Sequence, residues 1–144
     1  MRVAEWMSPD PITVSPWTSV RAARELLARE QVRHLPVVQG ERLVGIVSDR
    51  DLRLDQDAID RLARGGSARP VEGEVRWVMS RPVHTAAPDD ELASAADRLL
   101  AERISALPVV DEEDRPVGIL TTTDCLLALL RASAVRGAAR PGER

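Results

Sequence analysis

Two pairs of side chains in this sequence combine a hydroxyl and a carboxylate at the same spacing. Ser48 precedes Asp51 by three residues, and Thr121 precedes Asp124 by three residues. Near the start of a helix, a carboxylate can accept hydrogen bonds from both hydroxyls of a ribose, as an acidic residue does in dinucleotide-binding folds. A hydroxyl at the same turn can join free backbone N–H groups in binding an anion. Because the pair occurs twice, we favour ligand binding over the alternative, in which each aspartate only caps its helix.

Each pair ends a longer motif that is also duplicated. Residues 35–38 and 107–110 both read Leu-Pro-Val-Val, and each is followed by a polar turn and a Gly-Ile segment that leads to the hydroxyl. Leu35 and Leu107 are 72 residues apart, whereas Asp51 and Asp124 are 73 apart, so the second polar turn holds one inserted residue. This period exceeds the 20–50 residues of solenoid repeats. The sequence therefore predicts two half-domains that pack together.

The same order of elements is predicted for each half. Short helical turns at 3–7 and 75–79 precede brief strands at 12–14 and 83–85, which are rich in β-branched residues. Helices at 19–32 and 91–104 follow, with Thr18 and Asp90 as their predicted N-caps. Hairpins at 35–48 and 106–121 come next, and a second helix begins near each terminal aspartate. The expected fold is α/β, with two pseudo-symmetric repeats packed through their sheets.

Composition sets the boundaries of these repeats and limits the function. Glycines and Pro70 mark 65–73 as a linker between repeats at 1–64 and 74–135, and 136–144 is predicted to be a disordered tail. The net charge of −3 argues against a dedicated nucleic-acid binder. Cys125 is the only cysteine, so no disulfide or cysteine zinc site can form within one chain. No stretch reaches the roughly 18 apolar residues of a membrane span, and we expect a cytoplasmic protein without a metal site.

The duplicated motif closely resembles the cystathionine β-synthase (CBS) domain, over residues 3–54 and 74–134. Two such repeats in tandem form a Bateman module. The resemblance implies a regulatory module with two symmetry-related clefts between the repeats, which commonly bind adenosine-containing ligands, and a protein that is commonly dimeric. We therefore expect a sensor of AMP, ADP or ATP that has no cofactor, holds the nucleotide as a regulatory ligand, and acts on an unknown partner protein.

The resemblance also assigns roles to residues. Those just before the second strand of each repeat, Arg33, His34 and Arg103, would reach the phosphates, which suits arginine because its planar fork makes two parallel bonds. The alternative is that both arginines are solvated helix ends. Backbone groups of the first strands would meet the base. With the motif prolines and the hydroxyl–carboxylate pairs, the candidate ligand-binding residues are Thr13, Val14, Arg33, His34, Pro36, Ser48, Asp51, Thr85, Ala86, Arg103, Pro108, Thr121 and Asp124.

Catalysis is not predicted. Ser48, Asp51 and His34 are the residue types of a hydrolase triad, but the second repeat has Ala106 where the first has His34. The other functions considered are a dimerisation or interaction module with no ligand, S-adenosylmethionine binding, and nucleic-acid binding through the arginines of the tail. A homodimer formed through helices of both halves is predicted. It rests on an apolar run that covers more than one face of the last helix, formed by Leu126, Leu127, Leu129 and Leu130.

Overall fold

A computed structural model describes residues 1–53, 73–81 and 83–138. Outside these ranges lie residues 54–64 of the predicted second helix of the first repeat, residues 65–72 of the predicted linker, residue 82, and residues 139–144 of the predicted tail. The strands are β1 (Ser8–Pro9), β2 (His34–Gln39), β3 (Arg42–Ser48), β4 (Ala106–Val110) and β5 (Pro116–Thr121). The α-helices with described ends are α1 (Val20–Glu30), α2 (Leu92–Glu102) and α3 (Thr122–Ala138), and 3-10 turns span Val3–Glu5 and Val75–Trp77. Helix α3 thus extends three residues into the segment predicted to be disordered.

Both predicted hairpins are confirmed, and they differ in the connection where the extra residue lies. The β2–β3 turn is tight, with positive φ at Gly40 (57°) and Glu41 (66°), the backbone required by the two-residue turns that match strand twist. The β4–β5 turn is longer, and the Asp111 carboxylate closes it by accepting hydrogen bonds from the N–H groups of Glu113 and Arg115, both at 2.9 Å. The insertion therefore enlarges a turn and leaves the strands in register.

The predicted helix caps are wrong by one residue. Helix α1 begins after Ser19, whose hydroxyl accepts a hydrogen bond from the Ala22 N–H at 3.0 Å. Thr18 instead accepts the Ser15 N–H at 3.0 Å, and Asp90 accepts the Ala87 N–H at 2.9 Å. Each of these side chains closes the turn that precedes its helix, which is an alternative use of the same short polar groups.

The first predicted strand of each repeat is not formed as a strand: 12–14 keeps one parallel bridge, at Val14, and the corresponding bridge of the second repeat lies at Ala86, one residue beyond 83–85. Val14 pairs with Val37, and Ala86 pairs with Val109. Prolines 16 and 88 follow two residues later, and a proline fixes φ and has no N–H to donate to a ladder. Extended pairing at these positions therefore ends almost as soon as it begins.

Each opening turn packs on the repeat that it does not precede. Val3 is fully buried in the core of the second repeat, while Val75 is fully buried in the core of the first. Strand β1 pairs with β5, and Ser80 forms a bridge with Ile46 of β3. The side chain of Met79 lies against Gly45, where an added Cβ would be 2.6 Å from the sulfur. Residues 3–9 and 75–80 thus cross between the repeats and join the two cores.

Candidate functional site

The two hydroxyl–carboxylate pairs have the same hydrogen bonds. The Ser48 N–H donates to Asp51 Oδ2 at 2.9 Å, and the Asp51 N–H donates to Ser48 Oγ at 3.1 Å. In the second repeat the Thr121 N–H donates to Asp124 Oδ2 at 2.8 Å, and the Asp124 N–H donates to Thr121 Oγ1 at 3.3 Å. This reciprocal pattern is a capping box. Both aspartates therefore do cap their helices.

Capping leaves one oxygen of each carboxylate out of these bonds. The hydrogen bonds that the carboxylates of Asp51 and Asp124 accept from described residues all go to Oδ2, and Oδ1 accepts none from them. The capping bonds hold the carboxylate in one orientation, while an ionised carboxylate can accept about four hydrogen bonds. An anchored aspartate with spare acceptor capacity is suited to accepting ribose hydroxyls, so the two interpretations of the pair are compatible.

A cavity of about 450 Å³ lies between the repeats beside Asp51. Small-molecule sites typically measure about 300–1,000 Å³, so its size suits a ligand. Both repeats contribute to its lining, because the crossing segment ending at Ser80 and the end of α2 face the β3 edge of the first repeat. We call it the Asp51 cleft, and it is lined by His34, Ile46, Ser48, Asp51, Ser80, Val83, His84, Arg103, Ile104, Ser105 and Ala106.

Basic side chains from both repeats line this cleft together with Asp51. Arg103 ends α2 in the left-handed conformation, with φ of 54°, and is exposed. His84 Nε2 lies 3.4 Å from Glu102 Oε2, and His34 Nε2 lies 3.2 Å from Ser105 Oγ. Burial lowers the pKa of His34 below its ordinary value of 6.5; the Asp51 carboxylate opposes this shift and Arg33 adds to it. The cleft thus offers one anchored carboxylate and a permanent cation from the other repeat.

The structure brings together four of the predicted site residues, His34, Ser48, Asp51 and Arg103. Arg33 instead borders a separate cavity of about 820 Å³ beside α1, together with Arg21, Arg24 and Asp49. The role predicted for Arg33, which is to reach the phosphates of a ligand, is therefore not located in the Asp51 cleft and stays a prediction.

The remaining candidates lie outside the Asp51 cleft. Thr85 and Ala86 border a third cavity, of about 480 Å³, and Asp124 borders a fourth, of about 510 Å³. The carbonyls of Pro36 and Pro108 are used within the fold, because they accept the N–H groups of Val14 and Ala86 at 3.1 and 3.0 Å. Thr13 and Thr121 border none of these four cavities.

Sequence reasoning missed Ser80 and Ser105 as lining residues of the cleft. Ser80 enters it only because the second opening segment crosses to the first repeat, and no local pattern signals that crossing. A signal for Ser105 was available, since it lies 72 residues after Arg33 and therefore at the equivalent position.

Residues 1–53, 73–81 and 83–138 contain neither a metal-binding cluster nor a membrane-spanning helix. In these ranges no three His, Cys, Asp or Glu side chains are grouped as a metal ion would require. Of the helices that the structure describes, none has the length and apolar character to cross a membrane.

Comparison with known proteins gives consistent matches over most of the chain. A family model of the CBS domain matches residues 3–55 and 71–131. Inosine-5'-monophosphate dehydrogenase of Thermoplasma acidophilum is 36% identical over 117 residues, which are 81% of this chain and 21% of that enzyme. The chain therefore spans about a fifth of the length of this curated relative.

Solved structures match over nearly their full length. CBSX2 in complex with AMP is 33% identical, with a TM-score of 0.74, and the match covers 92% of this chain and 98% of that one. The CBS domain pair of protein MJ0100, in complex with 5'-methylthioadenosine and S-adenosyl-L-methionine, is 28% identical with a TM-score of 0.77 and the same coverage. With both repeats matched in sequence and in fold, this chain belongs to the CBS domain family.

Proposed function

We propose that this chain is a regulatory module that binds an adenosine nucleotide in the Asp51 cleft. The observation that carries the proposal is that Asp51 of one repeat and Arg103 of the other line the same cavity of about 450 Å³. A carboxylate from one repeat and a guanidinium from the other, lining one cavity, suit the two polar ends of a nucleotide, which are the ribose hydroxyls and the phosphate.

The nucleoside end would lie against the first repeat. Asp51 is anchored through Oδ2 to the Ser48 N–H, so its carboxylate is already oriented before a ligand arrives. A fixed acceptor loses little conformational entropy on binding. The apolar side chains of Ile46, Val83 and Ile104 line the same cavity and would contact the base, in place of an aromatic stacking partner.

The phosphate end would lie against the second repeat. Arg103 forms no ion pair with any residue in the described part of the chain. A guanidinium of this kind can give both N–H groups of its fork to a phosphate without first breaking a bridge. His84 adds a second nitrogen donor on this side of the cleft. We therefore favour a nucleotide over adenosine or S-adenosylmethionine.

The ligands of the related structures support the adenosine class. CBSX2 was solved with AMP, and the MJ0100 domain pair with 5'-methylthioadenosine and S-adenosyl-L-methionine. These ligands share the adenosine moiety and differ in the 5' substituent. In this chain Arg103 is the residue that would set the preference for that substituent.

We further propose that the module forms a homodimer through α3, has no catalytic activity, and acts in the cytoplasm on a protein partner outside this chain. Four leucines of α3 are exposed, at 55% (Leu126), 48% (Leu127), 61% (Leu129) and 65% (Leu130). Such a contiguous apolar surface marks an interaction site in a soluble protein. A second copy of α3 would cover it.

Calorimetric titration with AMP and 2',3'-dideoxy-AMP tests the nucleotide proposal. We expect AMP to bind and the dideoxy compound to bind at least tenfold more weakly, because it lacks the hydroxyls that Asp51 would accept. Native mass spectrometry of protein from its own host would report a retained ligand and the oligomer together. Failure of AMP, ADP, ATP and adenosine to bind at millimolar concentration would refute the proposal.

A further inference from the structure

The cavity of about 820 Å³ beside α1 is lined by three arginines, Arg21, Arg24 and Arg33. We call it the α1 cavity. All three residues are exposed, and none forms an ion pair with another residue in the described part of the chain. An arginine of this kind can give both N–H groups of its planar fork to a partner. The α1 cavity is therefore a basic concave surface whose guanidinium groups are not engaged within the described chain.

Two carboxylates share the α1 cavity and offset only part of its charge. Asp49 is paired with Arg53, four residues further along the chain. Glu25 is in no ion pair with a described residue. One carboxylate that is not already paired thus stands against three arginines, so the lining has an excess of positive charge. This excess is local, since the whole chain has a net charge of −3.

The second repeat shows that this part of the fold does not require arginine. At the positions in register with the three arginines it has small residues, Ala93, Ala96 and Ser105. Helices α1 and α2 have the same length, 11 residues, and both end in a left-handed residue. Because alanine is at least as good a helix former as arginine, α1 would form without its arginines. The charge of the α1 cavity is therefore better explained by binding than by folding.

The α1 cavity adjoins the Asp51 cleft without sharing a lining residue with it. Asp49 donates its N–H to the Arg33 carbonyl at 2.9 Å, so two residues of the α1 cavity are bonded to each other. Their chain neighbours, His34 and Ser48, line the Asp51 cleft. A partner in the α1 cavity would thus contact residues directly adjacent in the chain to those beside the nucleotide. This placement suits a surface through which a regulatory module acts on another protein.

The form of the α1 cavity favours a protein segment over a small molecule or a nucleic acid. Small-molecule pockets enclose most of their ligand and are lined mainly by apolar groups, whereas the arginines here are exposed. Val32 adds an apolar side chain that is 38% exposed. A nucleic acid would need many phosphate contacts, which three arginines in an acidic chain do not supply. Binding of acidic motifs by arginine clusters is a recurrent mode of peptide recognition.

We infer that the α1 cavity is a docking surface for a segment of a partner protein that is rich in aspartate or glutamate. This docking surface rests on the proposed function in one respect, which is that the regulated partner is a protein. Carboxylates of the segment accept the N–H groups of the arginine forks, and an apolar residue of the segment contacts Val32. Because exposed ion pairs are individually weak and are screened by salt, the complex is reversible and forms best at low ionic strength.

Fluorescence anisotropy with a labelled peptide of glutamates around one leucine tests this inference. We expect this acidic peptide to bind at low salt, and a peptide with glutamine in place of glutamate not to bind. Arg21→Gln with Arg24→Gln should weaken binding of the acidic peptide about fivefold, as expected for the loss of two exposed ion pairs. Glutamine has nearly the helix propensity of arginine, so α1 is retained.

Arg42→Gln with Arg136→Gln is a matched control for the change in net charge. It removes the same charge from two exposed positions outside the α1 cavity, and it should leave the peptide affinity within about twofold of the wild type. No binding of the acidic peptide to the wild type, or an equal loss in both double variants, would overturn the inference. Tighter binding of inorganic tripolyphosphate, or of an oligonucleotide of equal charge, than of the peptide would also overturn it.

AMP titration of the same proteins separates this inference from the proposed function. Arg21 and Arg24 do not line the Asp51 cleft, so their double substitution should leave AMP affinity unchanged. AMP binding without peptide binding would refute the docking surface alone. Peptide binding without AMP binding would refute the nucleotide proposal alone.

Discussion

Replacing Arg103 with alanine removes the guanidinium from the Asp51 cleft with little other change to the fold. The side chain is exposed and has no ion pair within the described residues. Its backbone has a positive φ, which is as unfavourable for alanine as for arginine, so the substitution leaves the backbone strain unchanged. Gln31→Ala is a matched control, because Gln31 ends α1 with φ of 53° at the equivalent position of the first repeat.

The expected loss follows from the kind of contact that is removed. A hydrogen bond to a charged group contributes roughly 1–3 kcal/mol, which corresponds to about a 5- to 150-fold loss of AMP affinity. Adenosine has no phosphate, so the Arg103→Ala substitution should leave its affinity within about twofold. In the wild type, AMP should therefore bind more tightly than adenosine by a similar factor.

Isothermal titration of both ligands on wild type, Arg103→Ala and Gln31→Ala measures these differences. Ionic strength must be the same throughout, since an exposed charge is screened by salt. Gln31→Ala should change AMP affinity in the Asp51 cleft by less than about twofold. Equal affinity of the wild type for AMP and adenosine, or an unchanged AMP affinity in Arg103→Ala, would mean that Arg103 is only a solvated helix end.

Three further predictions concern stability and assembly. Gly45→Ala should lower the unfolding free energy measured in urea by roughly 1–3 kcal/mol, because the added Cβ would lie 2.6 Å from the Met79 sulfur. In a chain that already carries Met79→Ala, most of that cost should disappear. An equal cost of Gly45→Ala with and without Met79→Ala would contradict the contact between the crossing segment and β3. Sedimentation at micromolar concentration should show a dimer that Leu127→Glu with Leu130→Glu converts to a monomer, and a monomeric wild type would rule out the dimer. Folding lowers the pKa of His34, so protonation of this side chain favours the unfolded chain. The unfolding free energy should therefore fall as pH drops below 6.5. Urea titrations should show a smaller fall in His34→Gln than in the wild type.

Much of the fold could be predicted because its signals are local. The hairpins follow from short apolar runs separated by a polar turn, around Gly40 in one repeat and after Asp111 in the other, and the structure has strands at both places. The capping boxes follow from the spacing of a hydroxyl and an aspartate. By contrast, Val3 and Val75 are apolar residues of the same type, and nothing in their own segments shows which core each will enter. The crossing is decided by tertiary packing.

Part of the site could likewise be predicted, because its signals are local. Asp51 and Arg103 could each be found from the motif and from the family resemblance. Arg33 was included among the candidate residues because it precedes His34 in the sequence. The repeat register, however, pairs Arg33 with Ser105 and Arg103 with Gln31. The 72-residue spacing of the repeats already contains this mismatch, and the positive φ of both Gln31 and Arg103 agrees with it.

The crossing of the opening segments also determines when each half can finish folding during synthesis. Val3 leaves the ribosome long before Asp90, whose carbonyl accepts its N–H, and its core neighbour Leu120 comes later still. The first half, in turn, lacks Val75 until the second half has begun to emerge. Closing such distant contacts costs loop entropy before the buried surface is gained. A nascent chain that stops before the second repeat therefore leaves the first core open, and the two repeats complete folding together only after Leu120 has emerged.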